Sequence, residues 1–132
     1  MTLPISTRMA LAGLMLCGLM TLAMASLSSD ANAGIKLNRG CNISGEETHL
    51  GASYVTSLNV KNTGCGKGKK VVKAFNKCRH HNGGANGKCK SKVKGFSCNE
   101  GKRSGSPGVQ YYAKVKCKNG GKKVVFEYTQ NT

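Results

Sequence analysis

The chain is 132 residues long and carries 21 Lys or Arg against five Asp or Glu, for a formal charge of +16, with seven cysteines, two prolines and no tryptophan. That length holds one small domain once a leader is set aside, and the charge excludes a cationic molecule as its main partner. No GxSxG, Walker or dinucleotide-binding pattern occurs, so no motif-borne enzyme class and no cofactor is implied.

The first element in chain order is MTLPISTRMALAGLMLCGLMTLAMASLSSDANAG. Arg8 lies in a short polar lead, residues 9–26 are almost wholly apolar, and ANA closes the segment before Gly34. This is the layout of a secretory signal peptide over 1–33. A membrane span is the rival, since about 18 apolar residues just cross a bilayer. The signal reading predicts a secreted or periplasmic protein, with no stable membrane span after cleavage and one basic domain over 34–132.

That domain keeps six cysteines, Cys41, Cys65, Cys78, Cys89, Cys98 and Cys117, an even set in an exported chain. They predict three disulfides, each adding roughly 2–4 kcal/mol. Only 17 of its residues are Leu, Ile, Val or Phe, a fraction that with so much charge would otherwise signal disorder. The staples offset the thin core and the self-repulsion. The spacings leave all fifteen pairings open, and the lack of CxxC removes a thiol-redox reading.

SGEETHLGAS (44–53) suggests one helical turn, with Ser44 and Glu47 in capping-box spacing. ASYVTSLNV (52–60) reads as a strand with Tyr54, Thr56, Leu58 and Val60 on one face. KKVVKAFNKC follows as the second arm of a hairpin spanning 52–78, with Val72, Ala74 and Cys78 on one side and Val71 and Phe75 on the other. No window shows a 3.6-residue apolar stripe over ten residues. CRHHNGGANGKCKSKVKG (78–95) reads as a glycine-rich basic loop, KSKVKGFSC (90–98) as a further short strand, and NEGKRSGSPG (99–108) as a loop. YYAKVKCK (111–118) alternates Ala113, Val115 and Cys117 against Lys114, Lys116 and Lys118. After NGG, Val124, Phe126 and Tyr128 continue the pattern, so 111–128 is a hairpin. Both hairpins contain GKKVV, at an offset of 53 residues, from duplication or from convergence of two lysine-rich segments. The expected fold is all-β or mainly β: a small disulfide-stabilised antiparallel sheet with long Gly-rich loops.

Charge carries the functional expectation. Lysines at alternate strand positions line one sheet face, although like charges facing each other across strands are unfavourable. Solubility and edge protection account for a few lysines, not for +16. Residues 34–132 hold 17 Lys and three Arg, which favours contact with a charged backbone over readout of base edges. The candidate contacts are Lys69, Lys70, Lys73, Lys88, Lys90, Lys92, Lys94, Lys114, Lys116, Lys118, Lys122 and Lys123. Tyr112 joins them because it shares the phase of Lys114 and Lys116 and can stack on a base or sugar. The implied partner is an anionic polymer (nucleic acid, lipopolysaccharide, anionic wall polymer or sulfated glycan) or an anionic envelope surface. The alternatives are a cationic antimicrobial or toxin-like protein, an inhibitor or assembly component with an acidic protein partner, and a small secreted ribonuclease. For the last, His49, His80 and His81 are the weak catalytic candidates, since phosphodiester cleavage needs an acid, a base and a cation. Paired histidines alone lack zinc-site spacing, so no metal is expected.

Overall fold

The computed structural model describes residues 38–132, and the signal-peptide reading of 1–33 lies outside them. In chain order come β1 (Arg39–Gly40), a 3-10 turn at Glu47–His49, β2 (Tyr54–Lys61), helix α1 (Cys65–His81) and a second 3-10 turn at Gly84–Asn86. Then follow β3 (Ser97–Glu100), β4 (Ser104–Ser106), β5 (Gln110–Asn119) and β6 (Lys122–Asn131). The strands form one antiparallel sheet ordered β1-β2-β6-β5, with β3 and β4 sharing the outer edge of β5. The β5–β6 hairpin is the predicted one. Its turn residue Gly120 has φ +53°, a conformation that L side chains rarely adopt.

The domain is not purely β. KKVVKAFNKC lies within the 17-residue helix α1 rather than forming a strand, so the hairpin expected over 52–78 does not occur. The helix has a buried stripe: Gly68, Val71, Val72, Phe75, Asn76 and Arg79, at spacings of three and four residues. Three of those six are glycine, asparagine and arginine, so hydropathy alone does not reveal the period. Glycines at 66 and 68 and valines at 71 and 72 also weaken helix propensity. Packing must therefore stabilise the helix. Phe75 meets Phe126 edge-on at 5.5 Å, and Val71, Val72, Leu58, Val60, Val115, Val124 and Tyr128 are all buried. Gly68 permits the close approach, because a Cβ there would sit 2.7 Å from Val60 Cγ1.

Three disulfides form as counted, each between neighbouring cysteines: Cys41–Cys65, Cys78–Cys89 and Cys98–Cys117. They tie the β1 segment to the start of α1, the end of α1 to the following loop, and β3 to β5. The 44–53 turn exists, but no side chain caps it. Asn42, not Ser44, supplies the local acceptor, taking a bond from the Ser44 amide at 2.9 Å. The strand expected in 90–98 is displaced to Ser97–Glu100, preceded by a Val93–Phe96 bridge. The 99–108 loop contains the short β4.

Helix α1 covers one face of the sheet. The other face stays open, as the strict alternation along β5 shows: Tyr111, Ala113, Val115 and Cys117 are buried, and Tyr112, Lys114, Lys116 and Lys118 are exposed.

Candidate functional site

The open sheet face gathers its charge through register. Residues opposite each other on paired strands point to the same side. Lys118 of β5 pairs with Lys123 of β6, which pairs with Lys61 of β2. One step along, Lys116 pairs with Val125 and Val125 with Asn59. Next, Lys114 pairs with Glu127, and the two side chains form an ion pair at 2.9 Å. The last row is Tyr112–Thr129–Tyr54. The face therefore carries five lysines at one end and two tyrosines at the other. Along β5 the spacing from Tyr112 to Lys118 is about 20 Å, at roughly 3.4 Å per residue.

Tyr54 belongs to this face and not to the face of Leu58 and Val60, with which strand alternation groups it. A bulge between Val55 and Ser57 inserts Thr56 and reverses the phase, so Leu58 and Val60 point inward while Tyr54 and Thr56 are exposed. Lys61 was likewise unremarked in sequence, because its place beside Lys123 needs the β2–β6 register. Lys122 takes the opposite phase from Lys123 and sits at the hairpin end, paired with Asn119.

The remaining candidate lysines lie elsewhere. Lys70 and Lys73 are on the outward side of α1, where they line a groove of about 680 Å³ with Lys77, His81 and Lys94. This surface lies across the domain from the open sheet face, so the charge is divided between two faces. Lys69 is occupied by Glu46 at 2.5 Å. That hydrogen bond, opposed by partial desolvation and aided by the charges of Lys69, Lys73 and His49, holds the Glu46 carboxyl below its ordinary value. Lys88 and Lys90 border a separate hollow with Lys102 and the Arg103–Glu100 ion pair, and Lys92 is exposed on the bend that follows.

The Cys78–Gly95 stretch is more constrained than its glycines suggest. Cys78–His81 is the last turn of α1. The loop beyond it is held by two arginines. Arg79, wholly buried, donates to Ala85 O at 2.5 Å, Tyr111 Oη at 2.7 Å and Gln130 Oε1 at 2.6 Å, and lies over the Tyr128 ring. Arg103 donates to Asn86 O at 2.7 Å and Gly87 O at 2.5 Å, and stacks over Tyr111. At Gly87 a Cβ would meet Arg79 O at 2.0 Å, so this turn accepts only glycine. Burial pushes the Tyr128 phenol far above its ordinary value. Arg79 was not singled out in sequence. It stands eleven residues after Gly68 on the buried helical stripe, a place that only the helix itself reveals.

The three histidines are exposed and separately employed. His49 ends the first 3-10 turn, His80 Nε2 lies 3.2 Å from Gly51 O, and His81 borders the helix groove. Among the described residues none is ion-paired with a carboxylate. Among the same residues there is no cluster of three or more His, Cys, Asp or Glu suited to a metal, and no helix long and apolar enough to cross a membrane.

No protein-family model matches the chain, and neither a curated protein nor a solved structure matches it.

Proposed function

We propose that this is an exported, non-catalytic polyanion-binding domain whose contact surface is the open face of the sheet. The observation that carries the reading is the lysine set 61, 114, 116, 118 and 123, brought from three adjacent strands onto one uncovered face. Among the described residues, Lys114 alone of these has an acidic partner, at 2.9 Å. The sheet fixes the Cα positions from which the flexible lysine stems extend, so the charges are gathered on one side and their fields add toward an anionic polymer. Lysine-rich contact of this kind releases counterions from the polymer and makes binding salt-dependent.

The test is a salt-graded titration against single-stranded DNA, duplex DNA, heparin and lipopolysaccharide. Binding should fade between roughly 0.1 and 0.5 M salt. Replacing Lys114, Lys116 and Lys118 together by Gln should weaken every charged ligand and flatten the log K against log salt slope by about 2, at roughly 0.7 per lost contact on a single strand. The matching helix-face variant, with Lys70, Lys73 and Lys77 changed to Gln, should have the smaller effect. Salt-independent binding, or equal loss from the two triples, would refute this face as the site.

A further inference from the structure

Resting on that reading, we infer that the polyanion is single-stranded nucleic acid, held by its phosphates on the lysine rows and by its bases on Tyr54 and Tyr112. Among the described residues, three large hydrophobic side chains are exposed: Tyr54 at 45%, Tyr112 at 56% and Val109 at 63%. Both tyrosines stand on the lysine-bearing face, in one row on either side of Thr129. Their backbones are two strand spacings apart, about 10 Å. A hollow of about 430 Å³ beside Tyr112 is bordered by Thr129, Thr56, Lys102 and Lys114.

Two features make this arrangement specific in chemistry. An exposed tyrosine ring gains contact when it is covered, and a nucleobase covers such a ring with little regard to sequence. The adjoining lysines repeat every second residue of β5, about 6.8 Å apart, on the scale of the phosphate repeat of an extended strand. A nucleic-acid strand that crosses the row from Tyr54 to Tyr112 and then turns along β5 meets two aromatic rings and then the lysines in succession. A duplex stacks its bases inside and offers the tyrosines nothing. Heparin and lipopolysaccharide phosphates have charge but no aromatic base. Glu127, the acidic side chain of the face, is neutralised by Lys114.

The experiment compares four probes on the full exported domain: a short mixed-sequence single strand, its duplex, an abasic strand of the same length, and heparin. Because the protein has no tryptophan, intrinsic fluorescence reports tyrosine, and Tyr111 and Tyr128 are buried. The single strand should quench that emission and bind at least tenfold tighter than the abasic strand. Tyr54→Ala and Tyr112→Ala should each reduce single-strand affinity about tenfold, leave abasic-strand and heparin affinity within about twofold, and keep the native circular dichroism. Phenylalanine at either position should restore binding. Equal affinity for intact and abasic strands, tighter binding to duplex or heparin, or alanine variants without selective loss would overturn the stacking inference while the polyanion reading survives. Absence of salt-dependent binding to every probe would instead remove the polyanion reading itself.

Discussion

Gly68–Lys69–Lys70–Val71–Val72 and Gly121–Lys122–Lys123–Val124–Val125 are the same five residues placed in different secondary structure. The first copy lies in α1 and the second spans the turn and start of β6. Val71 and Val72 are both buried, while only Val124 of the second pair is, with Val125 half-buried on the open face. The segments that follow make the difference. After the first copy, Phe75, Asn76 and Arg79 extend the three-and-four spacing into the core. After the second, Phe126, Tyr128 and Gln130 extend a spacing of two. Valine favours strands, so the helical copy is set by the surface it packs on rather than by its own preference. The lysines diverge as well: Lys70 reaches the helix-side groove and Lys123 the lysine-bearing sheet face.

The largest test of this contrast is an aspartate at the second valine of each copy. Val72→Asp places a carboxylate in the core, at a cost of several kcal/mol, a large part of the 5–15 kcal/mol typical of a small domain. Urea unfolding should show it mostly unfolded or with a sharply lower midpoint. Val125→Asp, beside Lys116 on the open face, should cost about 1 kcal/mol or less and remain folded. Comparable losses from both would mean that the second valine also anchors the core.

The glycines give a smaller difference. Gly68→Val forces bulk into the contact with Val60, where even a Cβ would lie at 2.7 Å, and should cost about 2–3 kcal/mol. Gly121→Val meets Asn62 Nδ2 at an ordinary 3.6 Å and should cost about 1 kcal/mol or less. Thermal melts of the two variants measure the gap directly.

What could be read in advance divides along the same line. The β5–β6 hairpin was legible because alternation, an Asn-Gly turn and a lysine phase all agreed. Tyr112 and its three lysines were assigned to one side of β5 correctly for that reason. The helix was hidden because half of its buried stripe is polar or glycine, and the meaning of Asn76 and Arg79 depends on partners far along the chain: Leu50 O, Tyr111 and Gln130. Tyr54 was misplaced by a single inserted residue, Thr56, since one step reverses a strand's faces. Cysteine number gave the count of bridges, while the pairing required knowing which elements meet. Lysines that are equivalent in the two copies, such as Lys70 and Lys123, lie on opposite faces of the domain.

The smallest expected effect concerns the first lysine of each copy. Lys69 hydrogen-bonds to Glu46 at 2.5 Å, whereas Lys122 stands at the hairpin end opposite Asn119. Because Glu46 is held below its ordinary value near 4.5 in the folded protein, its ion pair stabilises the fold above that value. The contribution fades as pH falls through the lowered one. Lys69→Gln removes the largest cause of the shift, so its melting temperature should decline less than wild type between about pH 5 and pH 3, while Lys122→Gln should follow the wild-type curve. The pair is partly exposed and screened by salt, so the measurement belongs at low ionic strength, where parallel acid limbs for all three proteins would show that Lys69 is no better partnered than its counterpart.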